Sequence, residues 1–544
     1  MSRYFLCETF FDFKKSSFCS CTKKVNWLKD VFEANNVVDN LIEMVLDVFK
    51  NLDPGLDFCF QAGMKLQTDP LLYLKDLKVT YNSFLKFLDE LFRSLEETGK
   101  TRRMYIFNNK PFFRYLFHFG FSGSRHQTRV RELAKLIYAP FKTILQNYQS
   151  MATSKLLQEL ESNTTTSKDI LDELRLISLS VPKLICSFKT ASALCLDLTE
   201  GCTYDQLTNA FEECLVQYLD RFSALMKRLE KRKSAAHSWN ILQQSLQLNQ
   251  NCGDLLLNLE DLDISLAIEF LDKTKPFLNV TDNAQAVQQH HLYLLDTIKM
   301  KKLVEFHARV KQNPTLFTIL FKHIQSTLED LQNCTFKILF HPIQEQLVAV
   351  SSAQMLEQVW TSTSAGADTK EPDMPDFSFS PQEYITQIGQ YLMTMPQHLE
   401  PYMTNDNPSL SRALQARVFP FCGSVTSKSG DNNTPADFLL NCIARATCQT
   451  YLDHILKIPS LSVNSTKQLY TDIGKYNLTS PRNFYRFYFF CSGYIGDIIS
   501  DLGHPLTDSL ASFNRLLKAS PKDLPSIEEP QKWIQTVKTM RGLN

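Results

Sequence analysis

His341 and Glu345 are four residues apart, a spacing that puts an imidazole and a carboxylate on one helix face and could begin a metal site. No third ligand lies nearby in sequence, so the pair reads as a solvated ion pair. His290 and His291 are adjacent; on a helix they point about 100° apart and cannot chelate one ion together. Of the 14 cysteines only Cys19 and Cys21 are close enough to resemble a ligand pair, and C-x-x-C occurs nowhere. No local signature lifts a Cys–His dyad above the background of 14 thiols and 11 histidines. The basic run from Lys227 to Lys233 could touch phosphates, but cations at a helix C-terminus also complement the helix dipole, the simpler reading here. Phosphate-binding and hydrolase motifs are missing, and 16 scattered glycines do not supply a phosphate-cradling loop. The sequence therefore assigns no catalytic, cofactor-binding or metal-ligating residue and no cofactor.

The whole chain narrows the function classes further. Its 58 basic and 58 acidic residues cancel, leaving no global field to steer it onto nucleic acid or an anionic membrane; any such binding must be local. The scattered cysteines read as reduced, buried thiols of a cytosolic protein. Sequons at Asn163, Asn279, Asn333 and Asn477 carry no weight without a route into the secretory lumen. Glu8 and Asp12 interrupt the first apolar run, and no later stretch reads as the roughly 18 uncharged apolar residues of a membrane span. A soluble or peripheral protein is expected.

The elements that would position any site read as helices, since the apolar period is 3.6 wherever one exists. Helical patterns cover 27–53, 71–98 and 129–161, and a polar loop, SNTTTSKD, precedes another at LDELRLISLSVPKLI. In the segment from Thr203, Leu207, Phe211, Cys214, Tyr218, Phe222, Leu225 and Leu229 keep steps of three and four, with Thr203 and Gln206 as a capping box. The stretch QVWTSTSAGADTKEPDMPDF has no apolar period and reads as a solvated linker. Beyond it, Ser380, Pro381 and Glu383 form helix-start grammar, with Phe379 able to staple onto Tyr384. Tyr384, Ile385, Ile388, Tyr391, Leu392 and Met395 fill one stripe, Gln382, Thr386, Gln390 and Thr394 lie opposite, and Pro396 ends the helix. Thr434, Pro435 and Asp437 repeat that grammar before a helix that is apolar around most of its circumference. The expected organisation is an atypical N-terminal segment at 1–26, a helical bundle at 27–357, a linker at 358–379 and a C-terminal helical region at 380–544.

Residues 4–18, the insert at 104–128 and the insert at 476–496 crowd Phe and Tyr beside Arg and Lys without any period. They suit either interfacial membrane insertion or sequence foreign to the fold, such as retained intronic coding; the lack of a coherent apolar face favours the second.

The stretches FSFSPQEYITQIGQYLMTMPQHLEPYM, IARATCQTYLDHILKIPSLSVNSTKQLYTDI and VKTMRGLN closely resemble the C-terminal part of the subunit 7 family of the conserved oligomeric Golgi complex. Weaker collinear similarity covers about 27–103 and 129–358. The resemblance implies an all-α fold of elongated, stacked helical bundles, as in multisubunit tethers. It also implies a non-catalytic subunit serving intra-Golgi retrograde transport and the retention of glycosylation enzymes. The implied partners are subunits five, six and eight and further trafficking proteins, with no nucleic acid and no small-molecule substrate, and the implied place is the cytosolic face of the Golgi membrane, held peripherally. The family's coiled-coil-rich N-terminal third has no counterpart here. The rival reading is a helical lipid-binding protein that engages membranes through its aromatic segments.

Overall fold

A computed structural model describes residues 125–162, 169–232, 239–278, 297–361, 381–404, 407–414, 419–421, 434–474, 495–502 and 507–543, with isolated positions between 43 and 75. Almost all of the expected helices at 27–53 and 71–98, all or nearly all of the three aromatic segments, and Ser380 lie outside these residues. Among the described residues every regular element is helical. In order they are α1 (Arg125–Ser162), α2 (Ile170–Thr199), α3 (Tyr204–Arg232), α4 (Trp239–Leu278), α5 (Thr297–Gln312), α6 (Thr318–Val350), α7 (Ala353–Met355), α8 (Glu383–Leu399), α9 (Pro408–Leu414), α10 (Pro435–Ile455), α11 (Val463–Ile473), α12 (Ile495–Asp501), α13 (Asp508–Lys518) and α14 (Gln531–Met540).

The chain divides into two units. The first comprises Met1–Thr166, Leu179–Tyr218 and Asn258–Phe321. Its core is aromatic: Phe188 stacks on Phe211 at 4.3 Å, and Phe270 meets Tyr204 at 4.7 Å and Phe306 edge-on at 5.2 Å. Buried hydroxyls pair across it, Ser180 with Tyr218 and Ser192 with Tyr204, each at 2.7 Å. The expected α3 stripe from Leu207 to Leu229 is fully enclosed at all seven positions. The expected capping box is not formed. Thr203 sits in a closed corner made by the α2–α3 turn, where Glu200 and Gly201 take φ of 50° and 86°. Its hydroxyl donates to Thr199 Oγ1 at 3.0 Å and lies 3.4 Å from Cys195 Sγ, while Gln206 Oε1 is buried without a hydrogen-bond partner. Enclosure with other polar groups outcompetes the local cap.

By length and composition α2 could cross a membrane, which the sequence reading did not anticipate. One face of it enters the core, where Val181, Leu184 and Phe188 are buried, while Leu171, Leu179, Lys183 and Lys189 stand exposed. At the start of α6, Leu316 and Phe317 donate their backbone N–H groups to Asp263 Oδ1 on α4, at 2.7 and 3.1 Å.

The second unit comprises Ser167–Ser178, Leu219–Leu257 and Lys322–Asn544. Here α4 and α6 are keyed by a buried polar set: Ser245 Oγ and Thr335 Oγ1 lie 2.5 Å apart, and Asn249 Nδ2 donates to Thr335 Oγ1 at 2.8 Å. The short α9 docks on the same pair of helices, because Gln332 Nε2 donates to Ala413 O at 2.6 Å and Gly253 lets the Ser409 carbonyl approach. The core then runs on through α8 and α10 to α14, and α10 is central, with 13 of its 21 residues buried. Thr434 caps α10 as expected, in a complete box with Asp437.

Three expectations for this unit are corrected. The solvated linker does not begin at 358: residues Leu356–Trp360 form a π-helical turn, and Trp360 is fully buried, its Nε1 donating to Val350 O at 2.9 Å. Pro396 does not end α8, which continues to Leu399. An interior proline costs about 3 kcal/mol, but Met395 and Leu399 bury completely on either side, and His398 stacks on Trp239 at 4.1 Å. The cap of α8 is Gln382, one residue before Glu383, and its side chain makes no capping bond. Its backbone N–H instead donates to Asp472 Oδ1 at 3.2 Å. A carboxylate from another helix thus meets a donor at the start of α8, one residue before Glu383, whose N–H Ser380 was expected to cap. The stripe itself stands as expected, with Tyr384, Ile385, Ile388, Leu392 and Met395 buried, Tyr391 half-buried, and Thr386, Gln390 and Thr394 exposed.

Gly253→Ala reverses the usual sign of a helical Gly-to-Ala change, which stabilises by about 1 kcal/mol. The new Cβ would stand 2.0 Å from Ser409 O, so denaturant titration is expected to show a loss of about 1–3 kcal/mol. The same measurement on Ile388→Ala is expected to show a loss of about 2–5 kcal/mol, and on Gln390→Ala a change within about 0.5 kcal/mol.

Candidate functional site

A buried polar constellation joining several helices gathers on Asp472 of α11. Asp472 lies on the buried side of α11 with Ser465, Leu469 and Ile473. Its carboxylate accepts from Gln468 Nε2 at 2.8 Å, from the Gln382 N–H, and from the Tyr384 hydroxyl at 3.1 Å. Tyr384 OH lies 2.9 Å from Tyr451 OH, so the chain of hydroxyls extends from α8 into α10. Three helices therefore meet on one charge. Burial pushes the Asp472 carboxyl up to about 6, and the bonds from Gln468, Gln382 and Tyr384 hold it back from rising further. Burial likewise pushes both phenols well above their ordinary range.

The arrangement contains an acid and two phenols but no nucleophile with an adjacent base, and no open position for a reacting atom. Its chemistry is to hold a proton and to fix the start of α8. Sequence reasoning missed it, although an aspartate on the same helix side as Leu469 and Ile473 was a visible signal.

The residues singled out from sequence lie elsewhere. His341 Nδ1 is 3.5 Å from Glu345 Oε1 on the outer side of α6, a solvated pair that is ionic when the imidazole is protonated. Lys337, Gln344 and the half-exposed Val348 join them along a shallow open groove of about 450 Å³. In the basic run, Arg228 pairs with Glu173, and Lys231 and Arg232 occupy the last turn of α3. Among the described cysteines, Cys195, Cys202, Cys214, Cys252, Cys334, Cys442 and Cys448 are buried, and Cys186 is exposed. Burial raises the Cys214 thiol to about 12 and moves Cys195, Cys202 and Cys448 in the same direction, so these sulfurs stay protonated and unreactive. His290, His291, Cys19 and Cys21 lie outside the described residues. No group of three or more possible metal ligands occurs among the described residues.

The raised Asp472 carboxyl links proton uptake to folding. The folded state binds this proton more tightly than the unfolded chain, so its stabilising contribution is complete below about pH 4 and is lost as pH rises through about 6. The full effect is of order 3 kcal/mol. Asp472→Asn can keep the set of bonds, with its oxygen accepting from Gln382 and Gln468 and its amide donating to Tyr384. Urea titrations across that window are expected to show the wild-type slope flattened in Asp472→Asn, with neutral-pH stability at least equal to that of the wild type.

Comparison with known proteins gives these helices a lineage. The family model described as Golgi complex component 7 (COG7) matches residues 13–542. The human conserved oligomeric Golgi complex subunit 7 is 27% identical over 451 residues, covering 76% of this chain and 56% of its own length. The bovine protein of the same name is 26% identical, covering 96% of this chain and 66% of its own, and the Drosophila melanogaster protein is 23% identical, covering 96% and 63%. The chain thus spans a little over half to two thirds of the length of these relatives. No solved structure matches. With a family match running across nearly the whole sequence and through both helical units, this chain belongs to the Golgi complex component 7 family.

Proposed function

We propose that the chain is a non-catalytic subunit of a Golgi vesicle-tethering complex, acting in intra-Golgi retrograde transport and so in keeping glycosylation enzymes in their cisternae. The observation that carries this reading is the family match over residues 13–542. The physical chemistry of the interior agrees with it. The Asp472 carboxyl is enclosed by hydrogen-bond donors and burial holds the Tyr384 phenol and the Cys214 thiol neutral, which suits a scaffold whose work is done by surfaces. The partners on this reading are the other subunits of the complex, with five, six and eight as the immediate neighbours, together with trafficking proteins. Its place is the cytosolic face of the Golgi membrane, held peripherally.

The test is recovery of the tagged chain from cells depleted of their own subunit 7, followed by mass spectrometry. Co-purification of the other tether subunits, with glycosylation restored, is the expected result. Recovery as a free monomer with glycosylation still defective overturns the reading.

A further inference from the structure

The chain has no net charge, yet α5 sorts its charges sharply. Its inner face, Met300, Leu303, Phe306 and Val310, is buried in the first unit, and Phe306 packs edge-on against Phe270. Its outer face exposes Lys301, Lys302, Arg309 and Lys311 against a single exposed carboxylate, Glu305. Glu305 is four residues from both Lys301 and Arg309, a spacing that permits ion pairs, but none is formed with either. Arg309 instead lies over the Phe306 ring at 4.6 Å, which places its guanidinium at the border between the buried and the exposed face. Ile298, 68% exposed, adds an apolar side chain at the helix start. On the end of α4, which packs against this helix, Lys273 and Lys275 are also exposed, beside Asp272.

We propose that the outer face of α5 is an electrostatic docking surface for an anionic phospholipid bilayer, which deepens and rests on the reading of the chain as a peripheral Golgi tether subunit. Charge complementarity selects the partner. Long cationic side chains spread along a convex helix face, with one isoleucine at its end, match a plane of mobile headgroups, which needs no fixed counter-geometry. An acidic protein would be better served by a groove, and α5 contributes to neither the groove along α6 at His341 nor the one beside α14 at Lys532. The attachment is weak by itself, since each Lys or Arg near the surface contributes only a few-fold in affinity, and it acts by adding to the attachments of a larger assembly.

The test is flotation of the purified full chain with phosphatidylcholine vesicles prepared with and without phosphatidylserine, at low and high salt. Binding is expected only with phosphatidylserine and is expected to weaken as salt rises. The combined variant Lys301→Gln, Lys302→Gln, Arg309→Gln is expected to lose about fivefold per cation, roughly a hundredfold in all, with unchanged helical circular dichroism and thermal midpoint. A control of equal charge, Lys183→Gln, Lys189→Gln, Lys532→Gln, removes three exposed cations elsewhere and is expected to bind as the wild type does. Equal loss in both variants overturns the proposal, as does binding that ignores salt. Capture of soluble polyglutamate without vesicle binding overturns it in favour of an acidic protein partner. If the chain co-purifies with its tether subunits but never floats with vesicles, the docking surface fails and the subunit reading stands.

Discussion

A helix begins with backbone N–H groups that have no partner within it, and in this protein two helix starts, one buried and one partly buried, find a partner far along the chain. Both are met by a carboxylate from a distant helix. Asp263 accepts from Leu316 and Phe317 ahead of α6, and Asp472 accepts from Gln382 ahead of α8. An isolated buried carboxylate would itself be costly, and here each charge and the orphan donors it meets offset one another. The consequence is positional: α6 can start only where α4 presents Asp263, and α8 only where α11 presents Asp472. Long helices that pack by apolar stripes alone could slide; these contacts fix where they begin.

The buried hydroxyls and amides add a second layer of the same logic. Ser245, Asn249 and Thr335 key α4 to α6, Ser180 keys α2 to Tyr218 of α3, and Gln332 holds α9 by its last carbonyl but one. Apolar burial supplies most of the favourable free energy but does not discriminate between registers, whereas a directional bond inside a low-dielectric core is lost outright when the register slips. Gly253 works in the same way through shape, since only a residue without a Cβ admits the Ser409 carbonyl at that distance.

What could be read from sequence follows from the range of each interaction. The α3 stripe, the all-round burial of α10, its Thr434–Asp437 box and the His341–Glu345 pair depend on neighbours within about one or two helical turns, and the sequence displays them. The start of α8 depends on a residue 90 positions away, so Ser380 looked like the cap and Asp472 went unnoticed. Thr203 failed as a cap for a related reason: its corner is closed by groups of α2, not by its own helix. Pro396 and Trp360 were misread because a local breaker or a polar neighbourhood says nothing about the core waiting beside it. The site was less legible than the fold, since its members come from α8, α10 and α11 and share no spacing.

The buried polar groups of the described residues act by fixing helices in place. Burial moves the thiols of Cys195, Cys202, Cys214, Cys252 and Cys448 and the phenols of Tyr384 and Tyr451 away from neutral pH, and the acid that does titrate near pH 6 is enclosed by its own donors. The exposed charges are differently placed. On α3 the cation Arg228 is matched by Glu173, while on α5 the four exposed cations are left without ion-pair partners among the described residues. At physiological ionic strength a field reaches only about 8 Å, so a distant partner surface senses one helix face and not the sum over 544 residues. Global neutrality keeps the chain from adhering to every polyanion it meets, and it places no limit on what one uncompensated face can hold at contact.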